Sequence, residues 1–358
     1  MQTQSKQLDF TGENIYAGID VHLRSWKVTL LTDELFLKTY SQPPEPEKLV
    51  SHLKRNYPGA KYYAGYESGF SGFWAQKELE RLGVETVILN AADIPTTHKE
   101  KVQREDKRDS RKIARTLKSK DYEKVYVPSD TTLHDRMLVR MRGTLVKDLS
   151  RNKNRIKSLL HFHGIRIPEQ FVGKSYWSRI WLSWLESLRF NNENGDFTMK
   201  IILEHVEEQR KRLLKVNRKI RALSKTECYH KQARLLQGIP GIGLISAMVI
   251  LTELEIIDRF KSLDKLCAYI GLIPSTDSSG DNEIEGDMTP RGHSNLRKTI
   301  IESAWTAARN DPALTMKYNA LIRRMESNKA IVRIAKKLLN RIRYVLKNQS
   351  EYVKATVN

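Results

Sequence analysis

The run Ile15-Tyr-Ala-Gly-Ile-Asp-Val-His22 decides how the first third of the chain is read. Apolar and small residues lead without a charge to one acid, Asp20, which is the composition of a buried strand ending on a carboxylate. Residues 15–31 alternate as two short strands around Asp20, and residues 35–40 supply a third before the break Gln42-Pro-Pro-Glu-Pro46, so a meander is expected. Residues 46–56 then read as a helix, 61–66 as a strand, 72–82 as a helix and 84–89 as another strand. This alternation implies a mixed α/β sheet. Glu67 closes a second run, Tyr62-Tyr-Ala-Gly-Tyr-Glu-Ser-Gly69, much as Asp20 closes the first. Asp106 and Asp109, in Arg104-Glu-Asp-Lys-Arg-Asp-Ser-Arg111, fall three apart on a helix expected at about 103–119 and so share one face.

These four acids stand out against a basic chain. Its 358 residues hold 62 Lys and Arg against 42 Asp and Glu, a net charge of +20, which favours a polyanionic partner, nucleic acid or an anionic membrane surface. Hydrophobic residues make up 40%, enough for two or three domains with real cores and too many for a disordered tail. The longest uncharged stretch, 235–252, is interrupted by Gly238, Pro240, Gly241 and Gly243, and no N-terminal leader is recognised, so no membrane role is expected. Cys228 and Cys267 have the spacing of neither a zinc site nor a disulfide framework, which points to a reducing cytoplasm.

From about residue 133 long helices replace the strand pattern. Ile202, Val206, Gln209, Leu213, Val216, Ile220 and Leu223 step by four and three, a heptad seam broken only by Gln209. A helix with Leu138, Met141, Leu145, Leu149, Ile156 and Leu159 could pair with it, either as an antiparallel hairpin in one chain or as an intermolecular coiled coil. Trp177, Trp181 and Trp184 are placed on one helical face and are read as packing rather than base stacking. After about residue 231, Leu235-Leu-Gln-Gly-Ile-Pro-Gly-Ile-Gly-Leu244 looks like a helix-hairpin-helix, whose turn, with Gly241 and Gly243, brings backbone N–H groups to a phosphate, with a plain helical connection as the alternative. On residues 328–339, Ile331, Ile334, Leu338 and Leu339 form an apolar face opposite a basic one.

Carboxylate oxygens suit hard divalent cations, and two such ions about 4 Å apart can clamp a scissile phosphate. Asp20, Glu67, Asp106 and Asp109 fit that work as a set, although Lys107, Arg108, Arg111 and Lys112 could simply pair with the acids. A second polar constellation is Tyr269-Ile-Gly-Leu-Ile-Pro-Ser-Thr-Asp-Ser-Ser-Gly280, followed by Thr289-Pro-Arg-Gly-His-Ser-Asn-Leu-Arg297. Serines beside glycine predict a loop. His293 is the local candidate base for a serine nucleophile.

Taken together, Gly18-Ile-Asp-Val-His22, Tyr66-Glu-Ser-Gly69, Asp106-Lys-Arg-Asp-Ser-Arg-Lys-Ile-Ala114, Ile239-Pro-Gly-Ile-Gly243, Gly271-Leu-Ile-Pro274, Ser279-Gly280 and Gly292-His-Ser-Asn-Leu-Arg297 resemble the DEDD transposases of the one-ten and eleven-eleven insertion-sequence group, the bridge-RNA-guided recombinases. The resemblance implies an α/β RNase H-like domain similar to Holliday-junction resolvases over 1–125, a helical coiled-coil region over 126–230, a mostly helical transposase domain with the helix-hairpin-helix over 231–347, and a tail over 348–358. It makes Asp20, Glu67, Asp106 and Asp109 the tetrad for Mg²⁺, and Ser279, which adjoins Ser278, the nucleophile that forms a phosphoserine bond with DNA. Donor and target DNA, a structured noncoding guide RNA and a tetramer built as a dimer of dimers are the implied partners, in a bacterial or archaeal cytoplasm close to the nucleoid. Lys107, Arg108, Arg111, Arg291 and Arg297, with Gly241 and Gly243, are the expected nucleic-acid contacts. Asp281, Glu283, Glu285 and Asp287 depart from the basic loop usual in that family. A resolvase or nuclease that uses water as nucleophile, and a non-catalytic nucleic-acid-binding scaffold, are the alternatives.

Overall fold

The computed structural model describes residues 9–94, 106–171, 177–279, 282–289 and 291–354, without the side chains of residues 93, 106, 107, 275–279 and 282–287. The chain divides into two compact units, Met1–Val127 and Pro128–Asn358.

In the first unit β1 (Asn14–Val21), β2 (Trp26–Leu31) and β3 (Phe36–Gln42) form the expected meander, followed by α1 (Pro46–Asn56), β4 (Lys61–Glu67), α2 (Trp74–Arg81), β5 (Glu85–Leu89) and α3 (Asp106–Ser119). The sheet order is β3-β2-β1-β4-β5, with β2 antiparallel to both β1 and β3, and β4 parallel to both β1 and β5. This order agrees with an RNase H-like domain. Alternation sorts β1 between two layers. Ile15, Ala17 and Ile19 pack with Leu49, Leu53, Ala75 and Leu79 of α1 and α2, whereas Tyr16 belongs to the opposite layer with Ile113, Ala114 and Leu117 of α3. Gly18 is where α3 comes closest: a Cβ there would lie 2.2 Å from the Ser110 carbonyl oxygen and 2.3 Å from the Ala114 nitrogen. The helix can reach the sheet only because that side chain is missing. The Ser110 hydroxyl meets the Thr29 hydroxyl at 2.9 Å and fixes the same contact.

The second unit opens with α4 (Asp130–Phe162), α5 (Arg179–Ser187) and α6 (Glu193–Leu223). Helices α4 and α6 run antiparallel within the chain: Arg142 donates to Asn217 at 2.8 Å, Asn152 donates to Gln209 at 3.1 Å, and Leu149, Ile156 and Leu160 share a core with Met199, Ile202 and Val206. Of the two pairings open to the heptad seam, the structure contains the hairpin. Gln209 interrupts the apolar pattern because Asn152 faces it. Trp181 and Trp184 pack with Phe171 and Leu185 as read, but Trp177 precedes the Ser178 N-cap at φ +76° and is not on the helix.

Helices α7 (His230–Gln237), α8 (Leu244–Leu254), α9 (Leu263–Ile270), α10 (Ser294–Asn310), α11 (Pro312–Ile322) and α12 (Ser327–Asn348) share one core. Helices α7 and α8 flank the glycine-rich turn. On α12, Ile331, Ile334, Leu338 and Leu339 are buried as their spacing predicts. The expected loop around the serines is instead a two-stranded ribbon, β6 (Pro274–Ser279) with β7 (Asn282–Met288). A lone ribbon has no face that must be buried in a sheet core, so its sequence shows no apolar alternation to read.

Candidate active site

Asp20 and Glu67 are brought together by register. Six consecutive pairs from Asn14↔Lys61 to Ile19↔Tyr66 keep one parallel offset, and the next step sets Asp20 level with Glu67 at the carboxyl ends of adjacent strands. Adjacent strands lie ~4.8 Å apart and paired residues of a parallel ladder face the same way. Both carboxylates therefore stand on the α3 side of the sheet, two residues beyond the glycines Gly18 and Gly65. Helix α3 crosses that side with Ser110 and Ala114 over Gly18 and Leu117 against Gly65, while Lys118 acts on Asp33, the hydrogen-bond acceptor of the Tyr16 hydroxyl. The helix thus descends from the carboxyl end of β1 towards its start. Its first turn, with Asp106 and Asp109, projects towards the strand ends that carry Asp20 and Glu67.

Asp20 is 20% exposed and lies 3.0 Å from Nε2 of His22. Asp109 is 42% exposed and lies 3.6 Å from Lys112 Nζ. The Asp106 side chain is outside the described residues. Among those described, no three His, Cys, Asp or Glu side chains come close enough to hold a metal ion. What the donor chemistry offers a hard cation is two carboxylates at one sheet end and a helix turn carrying two more, all of them oxygen ligands. His22 has no role in the sequence reading, yet its spacing of two from Asp20 was the clue, because alternate residues of an extended segment share a side.

Of the expected nucleic-acid contacts in this unit, Arg108 is exposed, Arg111 lies with its guanidinium 4.5 Å from the Phe36 ring centroid, and the Lys107 side chain is outside the described residues. In the second unit Gly241, at φ +92°, is pressed against α10, where a Cβ would lie 2.3 Å from the Ser303 carbonyl oxygen. It serves packing. Gly243 caps α8 with nothing near its Cβ position, so it leaves that helix start open. Arg291 is exposed.

Ser279 ends β6 opposite Asn282, and Ser278 pairs with Glu283. The Ser279 side chain, Gly280 and Asp281 lie outside the described residues. At the base of the ribbon, Arg297 donates through Nη1 to the carbonyls of Thr289 at 2.7 Å and Gly271 at 3.2 Å. His293 caps α10, its Nδ1 accepting from the Leu296 N–H at 3.3 Å, while Nε2 meets Glu253 at 3.0 Å. With its Nδ1 lone pair engaged and Nε2 turned to a carboxylate, His293 is not placed as a free general base. Glu253 is fully buried, and Arg136 Nε at 3.1 Å and Arg140 Nε at 2.8 Å complete its shell. Burial alone would raise its carboxyl, but hydrogen bonds and charge from His293 and Arg140 outweigh that and lower it to about 2. Sequence could not find this cluster, since Arg136 and Arg140 are more than a hundred residues from Glu253. No described helix is long and apolar enough to cross a membrane.

Two family profiles match separate stretches of the chain, the first running past the boundary between the two units. A family profile for a transposase of the DEDD type matches residues 17–165, and the profile of the IS116/IS110/IS902 transposase family matches residues 233–319. The chain is 27% identical over 249 residues to the transposase for insertion sequence element IS1533 of Leptospira borgpetersenii, covering 67% of this chain and 70% of that one. It is 26% identical over 249 residues to y4qE of Sinorhizobium fredii, which carries a transposase name, covering 68% of this chain but 58%, under two thirds, of that relative. It is also 32% identical over 127 residues to the transposase for IS1111A of Coxiella burnetii, covering 34% and 35%.

Proposed function

From a chain that carries a DEDD transposase domain and a domain of the IS116/IS110/IS902 transposase family, we propose an insertion-sequence DNA transposase whose sites are chosen by a structured RNA. The reading is carried by one observation above all: the parallel register that levels Asp20 with Glu67 beneath the helix bearing Asp106 and Asp109. These four residues would hold divalent ions, Mg²⁺ by the hardness of the donors. When bound, the ions supply positive charge to the phosphoryl and departing oxygens.

The serine step belongs to the chain. The Ser279 hydroxyl oxygen bonds to phosphorus, the bond from phosphorus to the 3′ oxygen breaks, and a phosphoserine ester and a free 3′ hydroxyl result. The proton lost by serine is balanced by the one the departing oxygen gains. One phosphodiester-type bond replaces another, so an incoming 3′ hydroxyl can reverse the step on a different strand without ATP. Arg108, Arg111 and Arg291, all exposed residues, would track phosphates, and the +20 charge suits simultaneous holding of DNA and RNA. Four copies, as two dimers, would assemble the complete sites.

A second reading uses water in place of serine. What favours it is that every tetrad acid lies in the first unit and Ser279 in the second, and a DEDD description carries no serine of its own. Trapping of covalent protein–DNA adducts separates the two. Under the proposal Ser279→Ala abolishes the adduct and strand exchange while Ser278→Ala retains both; under the alternative Ser279→Ala leaves strand cleavage intact.

A further inference from the structure

We infer that Arg297 is a positioning residue for the serine ribbon, acting through the backbone of its two legs rather than on a nucleic-acid phosphate. The inference rests on the reading of Ser279 as nucleophile. Below the last ladder pair, Pro274↔Met288, the legs stay joined: the Thr289 N–H donates to the Ile273 carbonyl at 3.0 Å, and the His293 N–H donates to the Tyr269 carbonyl at 3.0 Å. Between these two ties the legs cross so closely that a Cβ on Gly292 would lie 2.6 Å from Gly271 Cα, and one on Gly271 would lie 2.4 Å from the Arg291 carbonyl oxygen. Both glycines have positive φ, +80° and +116°, a conformation that side chains disfavour in any case.

Arg297 sits at this crossing. Its Nη1 donates to Gly271 O on the incoming leg and Thr289 O on the outgoing leg, and it is half-buried there. It projects from the first turn of α10, which His293 caps while meeting buried Glu253. Helix α10, both ribbon legs and α8 are therefore locked at one point, and the ribbon leaves that point as a lever.

Ser279 is five residues past Pro274, so its Cα stands ~17 Å along the strand from the first ladder pair. A rotation of roughly 3° at the base moves the tip by about 1 Å, an error that can reduce a reaction needing close alignment about 100-fold. Two hydrogen bonds from one guanidinium nitrogen to opposite legs restrain that rotation. A cation meant for phosphate would keep its fork towards solvent, as exposed Arg291 is free to do.

The test uses the full chain with Mg²⁺, a plasmid carrying the DNA that flanks its gene, and RNA transcribed from that flank. It measures the rate of covalent adduct formation as a function of DNA concentration for the parent, Arg297→Gln, Arg297→Lys, Arg291→Gln and Ser279→Ala, with a melting curve for each. Arg297→Gln is expected to lower the rate at saturating DNA roughly 100-fold and leave the half-saturating DNA concentration within about threefold of the parent. Arg297→Lys, which can still donate to both carbonyls, is expected to recover most of that rate. It carries the test should Arg297→Gln melt early. A raised half-saturating concentration with an unchanged saturating rate and a salt slope smaller by about one would make Arg297 a phosphate contact and overturn the inference. So would an unchanged adduct rate in Arg297→Gln. An adduct that persists in Ser279→Ala overturns the serine reading itself, a result separable from failure at Arg297 alone.

Discussion

Gly18 shows how one missing side chain places helix α3 against the sheet. Gly18→Ala drives a methyl into the Ser110 carbonyl oxygen and the Ala114 nitrogen. It is expected to reduce unfolding free energy by ~1–3 kcal/mol in urea titration and to lower strand cleavage with it, because α3 must lift from β1. Glu253 illustrates the opposite case, a charge that is costly to leave alone. Glu253→Ala leaves Arg136 and Arg140 without their carboxylate and should destabilise the second unit by ~3–5 kcal/mol, towards the lower figure because Arg140 is 52% exposed. The sign with pH follows from the lowered carboxyl. Its stabilising contribution is complete above the ordinary value of 4.5 and is lost as pH falls towards about 2. Unfolding free energy of the parent should therefore drop more steeply over that interval than that of Glu253→Gln, and equal slopes would contradict the assignment. At this scale the acids that end apolar runs, Asp20 and Glu67, are legible because a lone charge interrupts a strand pattern. Glu253 is not, because it sits in Leu251-Thr-Glu-Leu254 and its partners come from another helix.

Periodicity made most of the elements legible. The heptad steps of α6 and the apolar face of α12 announce buried faces directly, since helical spacing and burial are the same fact. Gln209 looked like a defect in the seam and is half of a polar pair. Asn152→Ala should lower unfolding free energy by ~1–2 kcal/mol by stranding the Gln209 amide, whereas the double change Asn152→Leu with Gln209→Leu should restore it or exceed it. A double-mutant cycle in denaturant of Asn152→Leu, Gln209→Leu and the two together checks this, and simple additivity of the two single changes would contradict it. The ribbon β6–β7 was not legible. Its strands are held by a crossing of Gly271 and Gly292 and by Arg297, contacts between residues about twenty apart that leave no trace in local composition.

Across the whole chain, a basic surplus carried mostly by the second unit predicts binding that weakens steeply with salt. For about six phosphate contacts, affinity for flanking DNA should fall roughly a thousandfold between 50 and 200 mM salt, measurable by fluorescence anisotropy in the absence of divalent ions. Asp20→Asn should leave that binding intact, which separates holding DNA from cutting it. In the proposed function, carboxylates from two parallel strand ends and one helix turn act together on a phosphodiester. The most direct measurement of this is divalent-ion-dependent cleavage of flanking DNA by the full chain with Asp20→Asn and Glu67→Gln beside the parent. No cleavage is expected without the ion, and each variant is expected to lose at least about 100-fold at unchanged melting temperature. Cleavage at the parent's rate by either variant would contradict the proposed function.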